Sequence, residues 1–533
     1  MKPTETPPHT SGPWLRRWFC AAVLALAVFQ FAENTADPDL WAHTLFGEHF
    51  LTTGHLETVD TYSWTAAGQP WINHEVLAEI AFGLAHHLAG GGGLLLVKIF
   101  VGLLTLLLGL RLGGATLPWP QRTVAWLVAA VAVVEISFGF AARPQIFTAL
   151  ALVVQFWLLR KMYQGKVLWA LALPPLFVLW INTHGGVIAG GVILFVAVVA
   201  TTLEFFWRRP ASSLTPRILW AGWVAGAACA AALLVNPWGF GLVRWLVESV
   251  LWLRPEIAEW NPAGLNWDHA ALFVLLVLAG AAFVFSRRKR VWWEIAVCAV
   301  LAVLALRSVR NTPLFAIAAL AFVPPHLADV LARNRNHFAR FEAVLAQKMA
   351  RGILTILLGL LTMGIFASTF FLHKEHPLTM AVPRDRYPVA AVAFMQKHEL
   401  RGNLLAFFDW GEMCLWELPA CPVSMDGRLD TCYSRELIHE HWNLYNDQPV
   451  NRAVLDITKA DLALLPVRLA GSLALVKKFG WQPVYFDDLA VVLVRDIRQF
   501  PQLAPGTSVE QGTADAIKGS APFPDRPSAR LTQ

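Results

Sequence analysis

Apolar stretches long enough to cross a bilayer recur along this 533-residue chain, and they constrain its fold more than any other feature. A spanning helix needs about 20 mostly apolar residues. Within lipid its backbone polar groups must be satisfied internally, so helices are the default spanning element. Eleven candidate spans lie near 14–32, 93–112, 123–140, 146–160, 167–181, 187–206, 218–235, 269–286, 291–306, 314–331 and 353–372. The fourth and fifth are short, which suits a tilted or partly re-entrant segment. Hydrophobic residues make up 56% of the chain and charged ones only 15%, too few to cover a soluble protein of this size. The expected fold is a polytopic α-helical membrane protein with about 11 spans.

Lys and Arg orient the spans. One set of loops carries Arg16 and Arg17; Arg111 and Arg122; Arg160, Lys161 and Lys166; Arg208, Arg209 and Arg217; Arg287, Arg288, Lys289 and Arg290; Arg333, Arg335, Arg340, Lys348 and Arg351. The opposite set has only Arg143, Arg244, Arg254, Arg307 and Arg310 before the last span. The first set is therefore expected to be cytoplasmic, with the N-terminus inside and the first run acting as a signal anchor. An odd number of spans then puts the C-terminal region outside, on the periplasmic or extracellular face of a cytoplasmic (inner) membrane.

Past residue 375 the pattern changes. "LLAFF" (404–408) reads as a strand, "MCLWEL" as the start of a helix, 472–481 as a helix, and 483–496 as two strands joined at Asp487-Asp488. The expected domains are a transmembrane domain over 1–375 with a long first outer loop (33–92), an extracytoplasmic α/β domain over 376–499, and a disordered tail over 500–533 rich in Pro, Ser, Gly and Thr. Cys20, Cys229 and Cys298 fall in apolar runs. Cys414, Cys421 and Cys432 lie in the outer domain, where an odd count allows one disulfide at most.

The outer loops hold the chemistry. "FAENTADPDLWAHTLFGEHF" (31–50) collects Glu33, Asp37 and Asp39 where the first span ends, and His43, Glu48, Asp60, His74 and Glu75 follow in the same loop. Asp37 and Pro38 could simply start a helix, with Asp39 in its first turn. Ionisable groups at a span border are costly, however, and often functional. Two carboxylates this close can share a divalent cation such as Mg or Mn, or one can act as a base on an acceptor.

The layout resembles the C-type (GT-C) glycosyltransferase superfamily of polytopic membrane enzymes, with oligosaccharyltransferase catalytic subunits most similar. "DPDLWAHTLFGEHFL" resembles the acidic stretch of that family's first outer loop, and "VDTYSWTAAGQPW" (59–71) its later segment. "FFDWGEMCLW" (407–416) resembles the family's Trp-Trp-Asp-Tyr-Gly motif, with Phe407 and Phe408 in place of the two Trp and Trp410 in place of Tyr; "SMDGRLDTC" (424–432) follows it. The resemblance implies an inverting transferase that takes a sugar or oligosaccharide from a polyprenyl-phosphate-linked donor. The acceptor would be a protein, glycan or lipid on the outer face.

On that reading Asp37 and Asp39 are the expected catalytic pair, and also the expected cation ligands with Glu259. Arg307 and Arg310, spaced i, i+3, share one helical face and suit a phosphate clamp. His184 in "NTHGG", Arg143 in "ARPQ", His74 and Glu75 are further candidates for substrate binding. Asp409 and Trp410 are candidates for reading the acceptor. Glu256 shares the loop of Glu259; either could supply a further ligand, while a solvated loop acid is the default reading of both. No nucleic-acid motif, Walker loop, dinucleotide fingerprint or HExxH occurs. Two other classes remain open: a transporter or flippase for lipid-linked glycans, with Lys98 and Glu135 as its in-membrane charges, and a catalytically inactive relative that binds glycolipid.

Overall fold

The computed structural model describes residues 13–207, 214–252, 258–334, 347–372, 375–503, 509–513 and 515–524. Arg208, Arg209, Arg254, Glu256, Arg335 and Arg340 lie outside these. The chain forms two compact units: 1–33, 98–140 and 145–374 make one, and 34–97, 141–144 and 375–533 the other.

The helical unit contains α1 (Pro13–Phe31) and the second half of the long α3 (Val76–Gly114). It continues with α4 (Trp119–Ser137), α5 (Gln145–Tyr163), α6 (Leu173–Ile181), α7 (Val187–Trp207), α8 (Pro216–Ala232) and α9 (Phe240–Leu251). It ends with α10 (Ala270–Phe285), α11 (Trp292–Arg307), α12 (Thr312–Arg333) and α13 (Lys348–Leu372). Each expected span coincides with a helix. Among the described residues, seven helices are long and apolar enough by themselves to cross a membrane. The remaining four expected spans fall on α4, α8, α11 and the 167–181 segment, whose first turns are a 3-10 helix (Val167–Ala172) before α6.

The buried centre is α12, almost wholly enclosed from Thr312 to Ala328. Small residues allow that. A Cβ at Gly113 would come within 2.3 Å of the Leu320 carbonyl oxygen, so only glycine permits α3 to approach α12 this closely. Pro324 and Pro325 lie inside α12, and Pro325 removes the N–H that would serve the Ala321 carbonyl. Arg160 replaces it: one guanidinium nitrogen donates to Ala321 O at 3.1 Å, another to Leu112 O at 2.6 Å, and Nε donates to Glu294 at 2.9 Å.

In the mixed α/β unit, α2 (Leu40–Thr53) and the first half of α3 join the C-terminal residues. Its elements include β1 (Ala381–Pro383), α14 (Val389–Lys397), β2 (Leu404–Ala406), α15 (Gly411–Glu417), α16 (Arg435–Tyr445), β3 (Leu462–Pro466), α17 (Ala470–Phe479), β4 (Gln482–Phe486), β5 (Ala490–Val494), β6 (Glu510–Gln511) and β7 (Ser520–Pro522). Five strands form a mixed sheet in the order β2-β3-β5-β4-β6, with β4 and β5 the expected hairpin. The strand expected over 404–408 is shorter and gives way to a 3-10 turn at Phe408–Trp410.

The expectation of disorder over 500–533 needs correction within the described residues. β6 extends the sheet, and β7 pairs with β1, because Phe523 buries its ring and anchors the segment. Residues 504–508, 514 and 525–533 lie outside the described set. All six cysteines are free thiols.

Candidate functional site

The acidic segment is held by a backbone rail. Ala36 N donates to Ala381 O at 2.7 Å, and Ala381 N donates to Asn34 O at 2.7 Å, so residues 34–36 run beside β1. Asp37 follows directly. Asp39, not Asp37, is the N-cap of α2, and its side chain makes no capping bond. The Asp37 carboxylate instead accepts from the Asp39 amide at 3.1 Å and pairs with Arg143 Nε. Asp39 Oδ2 lies 3.3 Å from the same nitrogen. Arg143 therefore sits between the two carboxylates, one of which is 12% exposed and the other 29%. Burial pushes the Asp37 carboxyl above its usual range; Arg143 opposes that and the Asp39 charge adds to it.

Further carboxylates of the mixed α/β unit gather on Asp39. Glu412, on α15, is 4% exposed and its Oε2 has no hydrogen-bond partner. A Cβ at Gly427 would lie 2.5 Å from Glu412 Oε1 and 2.7 Å from Asp39 Oδ1, so the bare glycine leaves room for both. Burial pushes Glu412 well above the usual carboxylate range, with Asp39 and Asp426 adding and Arg428 opposing. Asp409 stands within the field of Asp39, Asp37 and Arg143. Tyr387 closes the group, its hydroxyl donating to Ala36 O at 2.9 Å. Sequence reasoning nominated Asp37, Asp39, Arg143 and Asp409 but missed Glu412, Gly427 and Tyr387. A carboxylate within the apolar run "MCLWEL" and its flank was the available signal for Glu412.

Trp410 is a correction. It is 2% exposed, and its indole N–H donates to Arg386 O at 2.9 Å, so the ring is part of the α/β unit's core and is not presented to an acceptor. His74 and Glu75 form a 3.5 Å pair, and Glu75 also lies 3.9 Å from His43. Burial works to lower His43, yet the carboxylates of Glu79, Glu75 and Asp39 outweigh it and hold it above its ordinary value.

Behind this group, Arg428 is enclosed. Its Nε and Nη2 clasp Asp426 at 2.9 and 2.8 Å, and its Nη1 lies 2.6 Å from Asp60. Phe46, Tyr62, Trp71 and Tyr433 surround the guanidinium with ring centres 5.0–5.8 Å away. Trp71 is thus a buried wall of this cage.

The helical unit holds a second polar group. The Trp180 indole donates to Thr148 Oγ1 at 2.8 Å, and that hydroxyl lies 2.9 Å from His184 Nδ1. The Gly186 amide also donates to Nδ1, at 3.0 Å. An amide can only donate, so Nδ1 is an acceptor and the neutral ring carries its proton on Nε2. Arg310 Nη2 stands 3.5 Å from that Nε2, and its guanidinium lies over Trp260, 5.4 Å from the ring centre. Two donors facing the same region suit an anion. Ser308 Oγ donates to Glu259 O and Val309 N to Asn261 O, both at 3.0 Å, which fixes the Arg310 turn. Arg307 is exposed in the last turn of α11. Among the described residues, neither Arg307 nor Arg310 forms an ion pair. Lys98 is tied to the carbonyl and carboxylate of Glu33.

The donor set does not fit the expected Mg or Mn. The position between Asp37 and Asp39 belongs to a guanidinium. Among the described residues, no group of three or more His, Cys, Asp or Glu is arranged to hold a metal.

No family model and no curated protein matches the chain. Among solved structures it is similar to the crystal structure of ArnT from Cupriavidus metallidurans bound to undecaprenyl phosphate, at 13% identity and a TM-score of 0.47 over 91% of this chain and 98% of that one. It is also similar to ArnT from the same organism in the apo state, at 14% identity and a TM-score of 0.48 over 92% and 98%. The chemistry is read from this chain's own side chains.

Proposed function

We propose that the protein is a C-type membrane glycosyltransferase that moves a sugar from a polyprenyl-phosphate-linked donor to an acceptor on the outer face of the membrane. The observation that carries this reading is the Asp37–Arg143–Asp39 group, a buried carboxylate with a second, more exposed one beside it. The acceptor hydroxyl or amide attacks the anomeric carbon of the donor, the bond from that carbon to the phosphate oxygen breaks, and the acceptor's proton passes to Asp37. The raised affinity of Asp37 for a proton suits a general base. Arg143 orients both carboxylates, and burial raises the proton affinity of the neighbouring Glu412. The polyprenyl phosphate leaves with the electron pair of that bond; within the helical unit, Arg310 and His184 Nε2 are donors of the kind that binds a phosphate. Single inversion at the anomeric carbon follows from one direct displacement.

The Lys and Arg distribution supports a cytoplasmic N-terminus and an outer location for the α/β residues. The test uses the full chain in proteoliposomes with a radiolabelled polyprenyl-phosphate sugar. Asp37→Asn keeps the shape and removes the base, and should cost at least about a hundredfold in turnover. Arg310→Ala should weaken donor binding instead. If both Asp37→Asn and Asp39→Asn transfer at the wild-type rate, the reading fails.

A further inference from the structure

Glu135 is used nowhere in the proposed reaction. It lies near the end of α4 and is 1% exposed, and among the described residues neither of its carboxyl oxygens has a hydrogen-bond partner. A buried acid at a span border is costly and marks a role. The groups around it are the Thr312 hydroxyl, the His269 ring and the Leu272 amide, none of them in hydrogen-bonding geometry. Thr312 and His269 are buried as well, and Thr312 Oγ1 and His269 Nδ1 also lack partners among the described residues.

These groups begin two helices that do not cap themselves. α12 starts at Thr312, and its N-cap, Asn311, makes no side-chain capping bond. α10 starts at Ala270; its N-cap, His269, makes none either, and Leu272 is in its first turn. The first amides of a helix have no partner within it, so an acceptor at that end suits both them and the helix dipole. At least one oxygen of a carboxyl group accepts in either protonation state. α4 packs against both helices, so Glu135 serves both starts from one position. The Phe138 ring, 4.8 Å from the His269 ring, closes the α10 side.

Both helices lead back to the anion site. The turn Val309–Asn311, directly before Thr312, carries Arg310. The segment 258–269, directly before α10, carries Trp260, whose ring centre lies 5.4 Å from the Arg310 guanidinium. At one end the two segments are tied to each other, Ser308 Oγ donating to Glu259 O and Val309 N to Asn261 O, both at 3.0 Å. At the other end, at His269 and Thr312, both meet Glu135. One side chain is therefore the common anchor of the Arg310 turn and of the ring beneath it. We infer that Glu135 is a positioning residue for the phosphate site: it steadies the first turns of α10 and α12, and through them aims Arg310 at an anion beside His184. That the anion is a polyprenyl phosphate rests on the function proposed above.

The test is a double-mutant cycle with Arg310, read as binding of a polyprenyl phosphate and of the matching polyprenol to the full-length protein in nanodiscs. Glu135→Leu keeps the bulk and removes the acceptors. Affinity for the polyprenyl phosphate should fall at least about tenfold, while affinity for the polyprenol, which has no phosphate, should not change. In an Arg310→Ala background the same substitution should cost less than about twofold, because Arg310 carries its effect. Glu135→Gln keeps an acceptor oxygen and should stay within about threefold of wild type. Thr312→Val removes the hydroxyl on the α12 side with little change of shape; it serves where Glu135→Leu does not fold, and should lose about threefold, again only with Arg310 present. Wild-type affinity in Glu135→Leu or Thr312→Val overturns the inference. So does an equal loss for the polyprenol, a loss undiminished in Arg310→Ala, a Gln variant as weak as the Leu variant, or a wild-type protein with no preference for the phosphate. Binding is read without transfer. If the coupling is found and no sugar transfer occurs, the positioning stands and the proposed function falls. If Asp37→Asn abolishes transfer while Glu135→Leu binds as wild type, the inference alone falls.

Discussion

Removing the Arg428 guanidinium should be among the most damaging single changes available in the mixed α/β unit. Arg428→Leu leaves Asp60 and Asp426 as uncompensated buried carboxylates, each with a side chain wholly enclosed. Asp60 keeps the Tyr62 and Ser63 amides and the Ser63 hydroxyl, and Asp426 keeps the Tyr433 hydroxyl. These soften the loss without supplying a positive charge. Breaking a buried pair from one side costs about 3–5 kcal/mol, and four rings also lose a cation at 5.0–5.8 Å. For a unit of this size, that corresponds to a fall in Tm on the order of 10 °C. Trp71 stands in the cage wall, so tryptophan fluorescence of the detergent-solubilised chain during heating reports on the site itself. The triple variant Asp60→Asn, Asp426→Asn, Arg428→Leu carries no buried charge and should recover a large part of the loss, because the penalty comes from isolated charge. A single variant that loses less than about 1 kcal/mol, or a triple variant no better than the single one, would refute this account.

Two further changes probe the carboxylates and the histidine. Glu412 takes up a proton in the folded state more readily than in the unfolded chain, so its contribution to stability falls as pH rises above the ordinary carboxylate range; Glu412→Gln should flatten that part of a Tm-against-pH curve and leave the fold intact. Gly186→Ala would place a methyl group 2.4 Å from Thr148 Oγ1 and 2.8 Å from His184 Nδ1. It should displace the ring and weaken donor binding at least about tenfold, measured by titration with a polyprenyl phosphate, while Gly191→Ala, where a Cβ meets open space, should not.

The sequence by itself determined the elements whose signal is local. A run of about 20 apolar residues is sufficient for a spanning helix whatever its neighbours do, so all eleven expected spans fall on helices. The β4–β5 hairpin was equally legible, from two β-rich runs on either side of Asp487-Asp488. Asp37, Asp39, Arg143, His184 and Arg310 were nominated because charge or imidazole at a span border is expensive and therefore informative. Tertiary structure alone decided what those groups meet. The Arg143 guanidinium reaches Asp37 from 106 residues away, which makes the expected metal position an ion pair. Trp410 was a candidate for reading the acceptor, yet the Arg386 carbonyl accepts its N–H and its ring is buried. The surroundings of Glu412, Arg428 and His86 are not legible in the sequence for one physical reason. Burial and partner set the charge and role of a side chain, and here both come from segments hundreds of residues apart, such as His86 and Pro524. The chain's own periodicity records neither.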